Sequence, residues 1–137
     1  MKETPELRSR IMRAVKASDT APEMAVRRYV HSMGFRFRLH RKDLPGTPDL
    51  VFPKLRKVIF VNGCFWHGHD CARGARAPKA NADYWLTKIT RNRLRDAANL
   101  LKLRDEGWAV AVVWECELAD MMTIQKRLRA FLRNVET

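Results

Sequence analysis

Two apolar runs, Lys57-Val-Ile-Phe-Val61 and Trp108-Ala-Val-Ala-Val-Val-Trp114, stand on either side of a long polar-apolar stretch from Asp83 to Gly107. Short runs this rich in Val and Ile form strands buried on both faces, whereas the longer interval has the length and composition of a helix. Asp83 is positioned to cap that helix and Gly107 to end it. A strand, one crossover helix and a second strand make a βαβ unit, and its two strands run parallel. Their C-terminal ends therefore share one edge of the sheet. Cys64 lies just beyond the first strand and Cys116 just beyond the second, so the topology brings two distant cysteines together.

On the N-terminal side, Phe35-Arg-Phe-Arg-Leu39 alternates with period two, as a half-buried strand does. Leu44-Pro45-Gly46 turns the chain, and Asp49 to Phe52 reads as another strand. Thr20-Ala21-Pro22-Glu23 has the form of a capping box, opening a helix that should stop at Gly34. An earlier helix from Thr4-Pro5 to about Val15 and a closing amphipathic helix over Ala119 to Leu132 complete the order ααβββαβα. This is an α/β sandwich with a mixed central sheet.

The chain has 137 residues, room for one domain over 1–137. At 46% hydrophobic and 31% charged it has a globular rather than a disordered composition. Neither a membrane-length apolar run nor an apolar leader after Met1 is present, so a cytoplasmic protein without a membrane partner is expected. The 27 Lys and Arg against 15 Asp and Glu leave a net charge of +12, which favours a polyanionic partner, nucleic acid above all.

Disulfides are a poor explanation for three cysteines in a reducing compartment. Cys64, His69 and Cys71 form C-x4-H-x-C, and Cys116 supplies the remote fourth ligand. Three thiolates and one imidazole close a tetrahedral structural zinc site with no open position. His67 or Asp70 is an alternative to His69, and clustered free cysteines are the metal-free alternative. A second constellation centres on Pro48-Asp49 at a strand start. Phosphodiester hydrolysis needs a hard cation and a base. Asp49 suits Mg²⁺, and His67 suits the base, with Asp96 on the long helix nearby. His31 and His40 have no evident partner in the sequence and read as surface residues.

The run Leu44-Pro-Gly-Thr-Pro-Asp49, then Val58-Ile-Phe-Val-Asn-Gly-Cys-Phe-Trp-His67 and His69-Asp-Cys71, resembles the very short patch repair endonucleases. Tyr84-Trp85-Leu86, Lys88-Ile89 and Val113-Trp114-Glu115-Cys116 extend the likeness across about Met12 to Cys116. The resemblance implies a restriction-endonuclease-like three-layer fold that nicks one DNA strand beside a T:G mismatch left by 5-methylcytosine deamination. It implies a monomeric bacterial enzyme, associated with the nucleoid and with a cytosine-5 DNA methyltransferase system. Position by position, it assigns Asp49 to the Mg²⁺, with the Val61 carbonyl as a second ligand. His67 becomes the general base, Asp96 supports the metal's waters or the histidine, and Glu23 is an acidic neighbour of the site. Cys64, His69, Cys71 and Cys116 match structural zinc ligands. Phe65, Trp66 and Trp85 match aromatic wedges in the base stack, and Met12 an apolar residue entering from the opposite groove. Asn62 stands where the best-known member has a second active-site histidine.

A plainer reading has Phe65 and Trp66 covering the cysteine cluster and Trp85 packed inside its helix. Trp108 and Trp114 read as packing residues flanking a buried strand. Arg8, Arg10, Arg13 and Lys16, with Arg91, Arg93 and Arg95, are candidate phosphate contacts. The competing functions are a restriction enzyme of the same fold that cuts unmismatched DNA and a zinc-stabilised DNA-binding module without catalysis.

Overall fold

The computed structural model describes residues 20–64, 69 and 81–133. The expected first helix, and with it Met12, lies outside those residues, as do Phe65, Trp66, His67 and Cys71.

Helix α1 spans Ala21–Ser32, and its start follows from local chemistry. The Thr20 hydroxyl accepts a hydrogen bond from the Glu23 amide at 3.3 Å, and Pro22 sits in the first turn, where its missing N–H costs nothing. The helix ends before Gly34, which adopts φ +89. Four strands follow in the order β1-β2-β3-β4: β1 Arg38–Leu39, β2 Leu50–Phe52, β3 Lys57–Asn62 and β4 Ala109–Trp114. The first three pair antiparallel. β3 and β4 pair parallel, from Lys57 opposite Ala109 to Asn62 opposite Trp114. Between them runs α2, Ala82–Asp105. A 3₁₀ turn, Glu115–Ala119, leads into α3, Met121–Arg133.

Two expectations change. The alternating segment from Phe35 pairs only over Arg38–Leu39, and before it Phe35 and Phe37 set their rings edge-on against Phe52. The cap of α2 is Asn81 rather than Asp83; Asn81 takes the left-handed conformation and makes no side-chain capping bond.

Alternation along β2 and β3 divides the core into two layers. On one face, Val26 and Val30 of α1 and Ile124, Leu128 and Leu132 of α3 pack on Leu50, Phe52, Ile59 and Val113. On the other, Leu103 of α2 meets Val51, Val58 and Trp108. Helices thus cover both faces of a mixed sheet, a three-layer α/β arrangement that fits the restriction-endonuclease-like fold. Gly46, at φ +77, lets the turn before β2 approach α2 closely: a Cβ there would lie 3.1 Å from the Asn99 amide nitrogen and 3.2 Å from the Phe60 ring. No helix among the described residues is long and apolar enough to cross a membrane.

Candidate active site and cysteine cluster

Both clusters form where strands end. The parallel register delivers the chain from Asn62 and Trp114 at one edge, two residues before Cys64 and Cys116. There the Cys116 amide donates to the Cys64 sulfur at 3.3 Å, and the Cys116 sulfur lies 3.5 Å from Nδ1 of His69. The His69 amide donates to the Cys64 carbonyl at 2.9 Å, which holds His69 beside Cys64. The ring stacks on Trp114 with centroids 4.2 Å apart and planes 14° from parallel. Cys64 is buried and Cys116 half-buried, both as free thiols. One donor atom from each of Cys64, His69 and Cys116 falls within 4.8 Å of the others, so this set can hold a metal ion. Soft sulfur with imidazole is a donor set for a zinc-like ion rather than for a hard cation. Trp114 therefore does more than pack its strand: it fixes the orientation of one donor ring.

The second cluster sits between α1 and the antiparallel ribbon. Asp49 immediately precedes β2, and its Oδ2 accepts the Val61 amide of β3 at 2.7 Å. Across the ribbon, the His40 amide donates to the Asp49 carbonyl at 3.2 Å, so backbone pairing holds His40 opposite Asp49. The His40 Nε2 lies 2.9 Å from Glu23 Oε2 and 3.8 Å from Asp49 Oδ1. Glu23, from the first turn of α1, is buried and also paired with Arg27 one turn on. Such pairing is what makes a buried carboxylate tolerable.

The Asp49 carboxyl is pushed up to about 7. Burial is the main cause; the Val61 amide opposes it, the nearby Glu23 charge reinforces it, and His40 offsets a little. A carboxylate held this unfavourably gains from a cation. Glu23, His40 and Asp49 each bring one donor atom within 4.8 Å of the others, a second group able to hold a metal ion.

His40 is thus no isolated surface residue. It is half-buried between two carboxylates, and the expectation of a partnerless histidine is corrected. The signal was faint: ten residues from His40 to Asp49 leave the register of the ribbon undetermined by sequence. Glu23 and Asp49, both expected at the site, do come together, and Val61 reaches Asp49 through its amide.

Asp96, on α2, shares a cavity with Asn62, the residue that follows Val61. By alternation Val61 faces α1 and Asn62 faces α2, where Asp96, Asn62, Phe60, Asn99 and Trp114 line a cavity of about 220 Å³. Trp85 is 8% exposed, with Tyr84 edge-on at 5.1 Å. The wedge role that the resemblance implies for Trp85 belongs to the complex with DNA. Trp108 is buried as expected, with the Arg56 guanidinium 4.2 Å over its ring. Arg91, Arg93 and Arg95 are exposed along α2.

With this geometry in view, similarity to known proteins is informative. Residues 2–73 match the family model of the DNA mismatch endonuclease Vsr. The type II nicking enzyme V.XorIIP of Xanthomonas oryzae pv. oryzae is 56% identical over 129 residues, covering 94% of each chain. The nicking enzyme V.NmeAIP of Neisseria meningitidis is 41% identical over 133 residues, covering 97% of this chain and 94% of its own. The DNA mismatch endonuclease Vsr of Escherichia coli is 41% identical over 111 residues, covering 81% of this chain and 70% of its own.

Proposed function

The chain belongs to the DNA mismatch endonuclease Vsr family and is a DNA endonuclease, and on that footing we propose that it nicks one strand of duplex DNA beside a T:G mismatch. The observation that carries the reading is Asp49: a largely buried carboxylate, braced by the Val61 amide and raised to about 7 by its surroundings. Hydrolysis of a phosphodiester asks for such a group, a hard anionic ligand whose cost is relieved when a cation arrives.

The donor chemistry fits Mg²⁺: Asp49 and the Val61 carbonyl offer oxygen, and Glu23 adds a second carboxylate beside them. When bound, the ion polarises the scissile phosphate and acidifies a water. His67 would be the base that takes a proton from the attacking water. Asp49 holds its ligating oxygen in place because its other oxygen is tied to β3. Arg27 pairs with Glu23, and His40 lies within hydrogen-bond distance of it, so that the Glu23 and Asp49 carboxyls can stand together. Asp96 supports the site from α2.

Cys64, His69, Cys71 and Cys116 take Zn²⁺, which fastens the loop after β3 to the chain after β4. Phe65 and Trp66 follow Cys64 in sequence, and we assign them to the mismatch. A wobble pair differs little from a normal pair in backbone charge, so the +12 surface supplies affinity without discrimination. Mispaired steps are cheaper to unstack, and flat side chains convert that difference into selectivity. Met12 enters from the opposite groove. The enzyme acts as a monomer in the bacterial cytoplasm, at the nucleoid, alongside a cytosine-5 DNA methyltransferase.

The test is a panel of duplexes, each with a single mismatch, incubated with Mg²⁺ and resolved by strand. Single-strand cleavage confined to T:G duplexes is expected. Equal cutting of perfect duplexes would favour a restriction activity, and no metal-dependent cutting would leave a binding module.

A further inference from the structure

The gap between His40 and Asp49 has a size that matters. Nε2 and Oδ1 face each other at 3.8 Å, too far for a hydrogen bond. Two ligands on one small divalent ion, each at about 2.1 Å, span up to ~4.2 Å, so this gap is one that an ion can bridge. The Glu23 Oε2, also paired with Arg27, is hydrogen-bonded to the same nitrogen at 2.9 Å; with that nitrogen deprotonated, the three atoms form a mixed face of two oxygens and one nitrogen. The imidazole is delivered by backbone pairing rather than by a free rotamer search, since the His40 amide is bonded to the Asp49 carbonyl.

We propose that His40 is a nitrogen ligand of the Asp49 cation site, which therefore works with Mg²⁺ but holds Mn²⁺ more tightly. The inference rests on the proposed cation at Asp49. Mg²⁺ takes oxygen donors in strict octahedral geometry and gains little from imidazole. First-row transition ions accept mixed oxygen and nitrogen sets. Mn²⁺ is also the weakest of that series for a given site, so it competes least for the thiolates of Cys64 and Cys116.

The experiment titrates Mn²⁺ into the protein as purified, following free ion by electron paramagnetic resonance, with Mg²⁺ measured by competition. Wild type should bind Mn²⁺ at least about 10-fold more tightly than Mg²⁺. His40→Gln should weaken Mn²⁺ by about 10- to 100-fold, the scale set by losing even a supporting partner, and Mg²⁺ by less than about 3-fold. Equal losses for both ions, or unchanged Mn²⁺ affinity, would overturn the proposal. The Mn²⁺ spectrum of wild type gives a check independent of any variant's folding. Directly coordinated nitrogen should appear as hyperfine coupling, and its absence overturns the assignment. Asp49→Asn separates this inference from its foundation. If that variant still binds Mn²⁺ as wild type does, no cation sits at Asp49 and both readings fail; if it loses Mn²⁺ while His40→Gln does not, only the role of His40 fails.

Discussion

The two clusters, a few residues apart along β3, are opposites in chemistry and in how they are built. Cys64, His69 and Cys116 offer soft donors, and the expected Cys71 would complete a closed set. Glu23, His40 and Asp49 are mostly hard donors from α1, the end of β1 and the start of β2. A closed set serves stability, whereas an incomplete set leaves positions for water and substrate. One sheet edge can thus carry a fastener and a reactive centre because the parallel and antiparallel pairings of β3 deliver different chain segments to it.

If that division holds, the largest effect comes from the cysteine cluster. Cys116→Ser should lose bound zinc together with much of the thermal stability, since structural zinc contributes on the order of 10 kcal/mol, comparable to a domain's whole stability. Metal analysis and a melting curve check this. A variant that loses zinc but melts unchanged would make the two clusters alike in role.

Asp49→Asn should do the reverse, lowering nicking by about 10³-fold or more while leaving duplex binding and zinc content intact. Single-turnover cleavage and a binding isotherm on the same preparation separate the two. Phe65→Ala with Trp66→Ala should weaken T:G duplex binding by about 10- to 100-fold and barely change binding to perfect duplex, as stacking on a base is worth ~1–3 kcal/mol. Competition binding at fixed salt reads this, and an equal loss on both duplexes would return these rings to the zinc side of the division.

The effect spread most thinly, over about three pH units, is a pH dependence. Folding raises the Asp49 carboxyl from 3.8 to about 7, so the folded chain binds a proton that the unfolded chain releases. The associated stability is present below about pH 4 and is lost as pH rises to about 7, with a slope of at most ~1.4 kcal/mol per pH unit. Denaturant unfolding of zinc-loaded protein without Mg²⁺ should show this fall, Asp49→Asn should flatten it, and added Mg²⁺ should counter it at neutral pH. An identical slope in Asp49→Asn would assign the titration to another group.

Much of this was legible in the chain, for reasons that differ by region. KVIFV and WAVAVVW announce buried strands by composition, and the connecting helix makes them parallel, so Cys64 and Cys116 meet by topology alone. Thr20 and Pro22 announce α1 through capping chemistry that acts within one turn. His40 was not legible. Its partners are set by the antiparallel register across a ten-residue connection, and register is a property of packing rather than of local pattern. That Asp96 and Asn62 line one cavity depended on where α2 docked on the sheet.

The most direct test of the central claim is the initial nicking rate on a T:G duplex and on its T:A counterpart, each strand labelled separately, with Mg²⁺ and then with chelator. Cleavage of one strand of the mismatched duplex, abolished by the chelator and absent in Asp49→Asn, is the predicted result. Cutting of both duplexes at similar rates, or undiminished cutting by Asp49→Asn, would contradict it.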